Sequence, residues 1–232
     1  MSGTAGHDGG RGTPHRGPYR GKRAVDLVVT AVVAIPALLL GAVCAVLIRA
    51  TSKGPALFRQ IRVGMGGQEF EVVKFRTMVV GDNPILPRAD RITKVGHWLR
   101  RSGLDELPQL LNVVRGEMSV VGPRPTLGYQ VERYDERQRI RLDVRPGLTG
   151  LAQVRGRNTL SWNQRIDFDI EYVQTQSVVT DLRILLGTIR PLLTGEGAEG
   201  HAADDPLSRL DAEGGGGSEV GGLPEPSDGE RS

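Results

Sequence analysis

The alternation of hydrophobic and polar positions divides the chain into one long apolar run and a series of shorter periodic segments. Residues 27–48 form a run of 22 residues without a formal charge. At ~1.5 Å per residue, a helix over this run is ~33 Å long, which is enough to cross the hydrocarbon core of a bilayer. Pro36 lies near the middle of the run and lacks a backbone N–H, so we expect it to bend the helix.

Basic residues flank the apolar run on both sides and bear on its orientation. Lys22 and Arg23 precede it, and Arg49 and Lys53 follow it. Because basic flanks prefer the cytoplasmic side of a membrane, both ends are expected there, which favours a re-entrant helix bent at Pro36. A straight span remains the alternative. A cleaved signal peptide is disfavoured, because basic residues rather than a small-residue cleavage site follow the run.

The shorter segments predict a soluble domain of the α+β class, mostly helical, with a small β-hairpin. Residues 68–80 are rich in β-branched and aromatic side chains and pair with residues 56–62 in the predicted hairpin. Apolar residues at helical spacing predict a helix over 107–114. Residues 129–143 are helical in composition and highly charged, so this segment faces either solvent or an acidic lipid surface. Residues 166–193 predict one or two helices.

Composition indicates that both termini lie outside the folded part. The chain has 32 glycines and 14 prolines, which is typical of long unstructured stretches, and both ends contain few apolar residues. The expected organisation is a disordered basic arm over 1–20, a membrane-embedded helix over 21–50, a soluble domain over 51–194 and a disordered, acidic, glycine-rich tail over 195–232.

The charge distribution points to anionic partners. Residues 196–232 hold ten acidic and two basic residues, so the formal net charge of +3 for the whole chain leaves +11 on residues 1–195. Phosphates, nucleic acid and an acidic membrane surface all fit this charge. The single cysteine excludes an internal disulfide framework and a cysteine-based zinc site, and the four dispersed histidines build no metal site. Any metal should therefore be Mg²⁺ on carboxylates and substrate phosphates.

An adjacent pair of carboxylates, Asp105 and Glu106, is the first candidate for chemistry. An aspartate can attack phosphorus as a nucleophile, and a neighbouring carboxylate can hold a divalent cation. The alternative is that both residues cap the helix predicted over 107–114 and complement its dipole.

Two further segments suit phosphate binding. Pro123 and Pro125 fix the backbone on both sides of Arg124, which suits a bidentate phosphate contact, although an ordinary turn with an exposed arginine is the alternative. Residues 144–158 combine glycines with arginines and either bring backbone donors to a phosphate or form a solvated basic loop. This segment lacks the lysine and the spacing of a P-loop.

The order of the motifs resembles that of one bacterial family. KRxxD, GPxxFRQxRxG, KFRTM, LDELPQLLNVxxGxMSxVGPRP and RPGxTGxAQVxGRN follow one another between residues 22 and 158, and the likeness extends to about residue 193. The chain closely resembles the bacterial sugar transferases, which are monotopic polyprenyl-phosphate phosphoglycosyl transferases.

This resemblance implies a reaction and a set of site residues. A nucleoside-diphosphate sugar, usually a UDP-sugar, gives its phosphosugar to undecaprenyl phosphate by way of an aspartyl-phosphosugar on Asp105, which starts a surface polysaccharide or glycoconjugate. Asp105 and Glu106 are expected to hold Mg²⁺. The resemblance also implies basic residues that bind substrate phosphates, namely Arg124, Arg100, Lys74 and Arg145. The substrate loops are expected to include Pro123, Pro125, Gly147 and Gln153.

The resemblance also implies where the protein acts and with what. The helix bent at Pro36 is expected to hold the catalytic domain, residues 51–194, on the cytoplasmic leaflet of the cell membrane, where the domain's amphipathic helices also lie. The expected partners are polyprenyl phosphate and the nucleoside-diphosphate sugar, with no nucleic acid. Neither the sugar nor the oligomeric state follows from the sequence. The alternative function is a non-catalytic, membrane-anchored basic module that binds polyanions.

Overall fold

The computed structural model describes residues 17–79 and 91–195. Its α-helices are α1 (Lys22–Thr51), α2 (Lys94–Ser102), α3 (Leu110–Arg115), α4 (Gly128–Glu132), α5 (Glu136–Arg139), α6 (Leu151–Arg155), α7 (Trp162–Thr175) and α8 (Val178–Thr194). Its strands are β1 (Leu57–Val63), β2 (Glu69–Phe75), β3 (Ser119–Val121) and β4 (Gly147–Thr149). Short 3₁₀ helices cover Met65–Gly67, Leu104–Gln109, Ile140–Asp143 and Arg157–Thr159. The prediction of a mostly helical α+β fold is confirmed.

The apolar run forms the long helix α1, which contains Pro36. By length and composition α1 could cross a membrane. Its central side chains are largely uncovered by the rest of the described chain: Val32, Ile35 and Leu38 are each more than 70% exposed. The predicted apolar helix is therefore present, and its middle presents an apolar surface outside the folded core.

The first turns of α1 are fixed to the domain by buried polar contacts. Lys22 Nζ donates to Asp26 Oδ1 at 3.1 Å and to Asp181 Oδ2 of α8 at 2.8 Å. Asp26 Oδ1 also accepts from the hydroxyl of Ser119 at 2.8 Å and from the backbone N–H of Val120 at 3.0 Å. These contacts join the start of α1 to α8 and β3.

The last turns of α1 pack against the domain through apolar contacts. Cys44 and Ile48 are buried in one cluster with Phe75 of β2 and Leu99 of α2. Gly41 also lies against the Phe75 ring, where a Cβ would be 3.5 Å away, an ordinary van der Waals distance. Both ends of α1 therefore contact the same domain.

The predicted hairpin is present. β1 and β2 are antiparallel, with Phe58 opposite Lys74 and Arg62 opposite Phe70. The strands are joined through the 3₁₀ turn Met65–Gly67, in which Gly66 has a φ of 67°. The second strand ends at Phe75 rather than at residue 80, because Arg76 turns aside and donates to Ser52 Oγ at 3.0 Å and to backbone carbonyls after α1.

The main core lies between the short parallel pair β3–β4 and the helices around it. Its buried members include Val113, Met118, Val121, Tyr172 and Val173. Helices α7 and α8 account for the segment predicted as one or two helices over 166–193. Residues 129–143 form α4, α5 and a 3₁₀ turn rather than one helix.

The predicted arm and tail fall mainly outside the described residues. Residues 1–16 and 196–232 belong to neither described range, so the disordered arm over 1–20 and the acidic tail over 195–232 stay predictions. Tyr19, near the end of the predicted arm, donates its hydroxyl to Asp181 Oδ2 at 2.7 Å.

Candidate functional site

A sharp reversal of the chain presents the two carboxylates. Helix α2 ends at Gly103, which has a φ of 70°, and Asp105 and Glu106 follow in the first turn of the 3₁₀ helix Leu104–Gln109. A Cβ on Gly103 would lie 2.6 Å from Leu192 Cδ2, so a side chain there would displace the end of the Leu192 side chain and strain the backbone.

The helix predicted over 107–114 begins earlier than expected and has two parts. The 3₁₀ helix reaches Gln109 and α3 continues from Leu110 to Arg115. The carboxylates lie inside the 3₁₀ helix, and neither helix start carries a side-chain cap hydrogen bond. The interpretation of the two residues as hydrogen-bonding caps is therefore not supported, whereas their place in the first turn of the 3₁₀ helix agrees with the alternative that they complement its dipole.

The Pro-Arg-Pro turn faces the carboxylates. Arg124 Nη2 donates to Glu106 Oε1 at 2.6 Å, and the Arg124 side chain is 56% exposed. The backbone of the turn is fixed from behind, because Gly147 N donates to Pro123 O at 2.8 Å and Arg141 Nη2 donates to Arg124 O at 3.0 Å. The turn therefore places an accessible guanidinium beside the carboxylate pair.

Asp105 has the electrostatics of a reactive carboxylate. Burial, followed by the neighbouring charge of Glu106, raises the pKa of Asp105 to about 6, against the opposing effect of Lys74, Arg124 and Arg100. At neutral pH most of the Asp105 carboxylate is ionised, yet it is poorly solvated, which favours attack on an electrophile.

Lys74 is partly buried on the face of the hairpin that turns toward the carboxylates. Burial and the charge of Arg62 lower the pKa of Lys74 to about 8, while Asp105 opposes the decrease. Its ammonium also lies 5.2 Å from the centre of the Phe58 ring, opposite it on the hairpin. Lys74 thus contributes a positive charge next to Asp105, and its role in binding substrate phosphate stays a prediction.

Arg100 is oriented by the segment that follows the hairpin. Its Nε donates to Thr77 Oγ1 at 2.9 Å. Helix α2 approaches this segment closely because Gly96 has no side chain, since a Cβ there would lie 2.0 Å from Thr77 O. The charge of Arg100 acts on Asp105, so this predicted residue also belongs to the cluster.

The structure places the remaining predicted residues around the turn rather than at the carboxylates. Arg145 Nε donates to Gly116 O at 2.6 Å, at the end of α3, and Arg145 is not among the charges that shift the pKa of Asp105. Gly147 lies in β4, where a Cβ would lie 2.1 Å from Gly122 N. The amide of Gln153, in α6, is buried with no hydrogen-bond partner in the described ranges.

Two arginines near the turn were not predicted as site residues. Arg62 lies on the same hairpin face as Lys74. Side chains alternate between the two faces of β1, so the register of the hairpin would have placed Arg62 on this face. Arg141 is buried and pairs with Asp169 at 2.5 Å. The nearby arginines Arg137 and Arg139 are exposed, although they belong to the same charged run 129–143. The sequence of this run therefore does not show that Arg141, unlike them, is buried.

The carboxylate pair suits a metal that is shared with a substrate. Within residues 17–79 and 91–195 no group of three or more His, Cys, Asp or Glu residues could hold a metal ion by itself. Mg²⁺, however, commonly uses one or two carboxylates together with water and substrate phosphates. The oxygen ligands of Asp105 and Glu106 fit that pattern.

A carboxylate pair set among basic side chains, in a domain joined to a long apolar helix, defines an enzyme that handles phosphorylated substrates. Comparison with known proteins identifies its family. The profile of the bacterial sugar transferase family matches residues 18–195, so the chain belongs to this family, as the sequence motifs predicted.

Several named relatives are similar over about three quarters of the chain. A UDP-glucose:undecaprenyl-phosphate glucose-1-phosphate transferase of Caulobacter vibrioides is 46% identical over 193 residues, which cover 76% of this chain and 71% of the relative. A UDP-galactose-lipid carrier transferase of Erwinia amylovora is 40% identical, with coverage of 76% and 41%. The exopolysaccharide production protein ExoY of Sinorhizobium fredii is 38% identical, with coverage of 76% and 87%.

Proposed function

We propose that this sugar transferase moves a sugar phosphate from a UDP-sugar to undecaprenyl phosphate through a covalent intermediate on Asp105. The observation that carries this proposal is the position of Asp105, which is partly buried beside Glu106 and within the field of Lys74, Arg100 and Arg124. The printed activities of the Caulobacter and Erwinia relatives support the two substrate classes.

The reaction has two displacements at the same phosphorus atom. A carboxylate oxygen of Asp105 attacks the β-phosphorus of the UDP-sugar, the bond to the bridging oxygen breaks, and UMP leaves with that oxygen. An oxygen of undecaprenyl phosphate then attacks the aspartyl-phosphosugar, which releases the Asp105 carboxylate and yields undecaprenyl-diphospho-sugar. The neighbouring cations stabilise the negative charge that collects at phosphorus in each step.

Asp105 and Glu106 are the residues that would hold Mg²⁺ together with substrate phosphates. When bound, the ion supplies positive charge that offsets the repulsion between a carboxylate and a diphosphate. Arg124 forms an ion pair with Glu106 at 2.6 Å and therefore holds this carboxylate in place on the side that faces the Pro-Arg-Pro turn.

The contacts of α1 support re-entry into one face of the membrane. Lys22 and Asp26, at its start, and Cys44 and Ile48, near its end, all pack on the same domain. A straight span would carry the two ends to opposite sides of ~30 Å of hydrocarbon. The exposed apolar middle around Pro36 would instead enter the bilayer and return.

The surface of the domain supports an attachment to the same membrane face. Exposed apolar side chains are present on α3 at Leu111 and Val114 and on α8 at Leu186 and Leu193, the last of them 81% exposed. Helices with such faces lie at a membrane interface. The basic flanks of α1 favour the cytoplasmic leaflet, where UDP-sugars are available.

A nucleotide-release assay tests the catalytic part of the proposal. Purified protein is mixed with a panel of UDP-sugars, undecaprenyl phosphate and Mg²⁺, and UMP is measured. The wild type should release UMP with at least one sugar, and Asp105→Asn should not, although Asp105→Asn still folds. Mass spectrometry of protein trapped with donor alone should locate a phosphosugar on Asp105. Polyanion binding without any turnover would favour the non-catalytic alternative.

Cysteine labelling tests the membrane topology. In a Cys44→Ser background, single variants Arg20→Cys and Lys53→Cys place a thiol on each flank of α1. Re-entry predicts that an impermeant reagent labels both positions from the same side of the membrane. Labelling from opposite sides would contradict re-entry while leaving the catalytic proposal intact.

A further inference from the structure

Among the described residues, two cations beside the proposed catalytic carboxylates form no ion pair with a carboxylate. In the described ranges, neither Arg62 nor Lys74 has a carboxylate oxygen within ion-pair distance, whereas Arg124 has Glu106 at 2.6 Å. Both side chains are partly buried. Buried and half-buried charges are usually paired, because desolvation without a counter-charge is unfavourable. Two such unpaired cations on one face therefore indicate a place for an anion.

The hairpin register explains how these two cations come to the same face. Lys74 pairs with Phe58 across the ladder and Arg62 pairs with Phe70, so the side chains of Arg62 and Lys74 project from the same side of the sheet. Arg59, which lies between Phe58 and Gln60 on β1, projects from the opposite side and pairs with Glu71 at 2.8 Å. One strand thus carries an unpaired inward arginine and a paired outward arginine.

The polar contacts of Arg62 hold it toward the Pro-Arg-Pro turn. Its Nη2 donates to Gln60 Oε1 at 2.8 Å, and its Nη1 lies 3.5 Å from Pro125 O. Both partners are neutral oxygens, so they orient the guanidinium without cancelling its charge. The planar fork of an arginine then remains suited to phosphoryl oxygens.

The charges near Asp105 add up to an excess of positive charge. Arg62, Lys74, Arg100 and Arg124 face Asp105 and Glu106, which leaves two positive charges unbalanced. Burial and the nearby charge of Arg124 lower the pKa of Arg62 to about 10, and Arg62 in turn lowers that of Lys74. This mutual repulsion is relieved when a dianionic ligand binds.

We propose that Arg62, with Lys74, forms a phosphate-binding edge of the active site, in which the Arg62 guanidinium contacts phosphoryl oxygens of a substrate. The inference rests on the proposed function and extends it to a residue outside the carboxylate, Pro-Arg-Pro and glycine-rich motifs. The phosphoryl group belongs either to the nucleotide donor or to the lipid acceptor, which share this chemistry.

The test compares Arg62→Gln with Arg59→Gln, a matched control on the same strand. Two measurements are made on full-length protein in detergent: the increase in Tm on addition of UDP, and the KM values for the UDP-sugar and for undecaprenyl phosphate. Arg62→Gln should be at least as stable as Arg59→Gln without ligand, because it removes a repelling cation. Its KM for one substrate should rise ~10-fold or more, which is the effect of losing a charge-assisted hydrogen bond. Arg62→Lys, which keeps the charge, should recover part of this loss.

The two readouts identify the source of the phosphate. A lost UDP-induced increase in Tm with a raised donor KM assigns Arg62 to the nucleotide. An unchanged UDP effect with a raised acceptor KM assigns it to the lipid phosphate. If Arg62→Gln matches Arg59→Gln in the UDP effect and in both KM values, the inference is wrong. If the wild type releases no UMP, the proposed function is contradicted, and the increases in Tm on addition of UDP and of undecaprenyl phosphate then decide the inference. Loss of either increase in Arg62→Gln supports phosphate binding by Arg62, and retention of both overturns the inference.

Discussion

Replacing Asp169 by alanine should destabilise the protein strongly, because it leaves Arg141 as an uncompensated buried charge. The two side chains are 2.5 Å apart and only 2% and 5% exposed. Removal of one partner of such a buried pair usually lowers the free energy of unfolding by about 3–5 kcal/mol. Arg141 also donates to Arg124 O at 3.0 Å, so the same change loosens the Pro-Arg-Pro turn.

The same helix provides a matched control for this prediction. Asp167, two residues earlier on α7, pairs with Arg137 at 2.6 Å, but its side chain is 52% exposed and that of Arg137 is 63% exposed. Solvent-exposed ion pairs contribute about 0–1 kcal/mol. Asp167→Ala should therefore change stability little, although the residue types and the distance are almost the same.

Thermal unfolding in detergent micelles measures the difference. Trp162 is partly buried at the start of α7, with its ring 6.4 Å from that of Tyr134, so its fluorescence reports on this region. For a domain of this size, 1 kcal/mol corresponds to ~2–4 °C in Tm. We expect a decrease of ~6–20 °C for Asp169→Ala and less than ~4 °C for Asp167→Ala. Equal decreases in Tm for the two variants would refute the argument that burial determines how much these ion pairs contribute to stability.

Three further outcomes follow from the site and its glycines. The kcat/KM for UMP release should increase as Asp105 ionises above pH 6 and decrease as Lys74 loses its proton above pH 8, and Lys74→Arg should remove the alkaline decrease. Because the folded-state pKa of Asp105 is raised, its neutral form stabilises the fold at low pH, and that stability is lost as pH rises through 6. Asp105→Asn should therefore have a higher Tm than the wild type at neutral pH while losing activity. Gly147→Ala should lower Tm more than Gly66→Ala, because a Cβ on Gly147 would lie 2.1 Å from Gly122 N, whereas Gly66 has open space and only an unfavourable φ of 67°.

Local sequence patterns predicted the elements whose signal is long or strongly periodic. The apolar run predicted α1, and the β-branched segment with its partner predicted the hairpin. Both signals come from residues that are close together in the sequence. The parallel pair β3–β4 was not predicted. Each strand has three residues, which is too short for an alternation to be recognised, and their pairing joins Ser119 to Gly147 across 28 positions.

The site was also predicted only in part, because some of its contacts join residues that are distant in the sequence. The carboxylates and Arg124 belong to long motifs, and the structure brings Arg124 and Glu106 into contact across 18 positions of the chain. Arg141 could not be identified, because its burial depends on Asp169 of another helix. Arg145 lies in a glycine- and arginine-rich segment that suggests a phosphate ligand. In the structure it instead donates to Gly116 O at the end of α3, a contact that depends on the tertiary structure.

The scaffold explains how mutually repelling cations stay close together in the absence of a substrate. The hairpin holds Lys74 and Arg62, the contact with Thr77 holds Arg100, and the turn supported by Arg141 holds Arg124. The hydrogen bonds of Arg62 and the Thr77 contact of Arg100 are made to neutral oxygens, whereas Arg124 is also paired with Glu106 and Arg141 with Asp169. The scaffold therefore positions these cations before a substrate binds. A bound dianion relieves this repulsion and should stabilise the fold, while salt screens part of it in the free enzyme. Substrate affinity should consequently decrease with ionic strength, since salt weakens the attraction that the anion gains on binding.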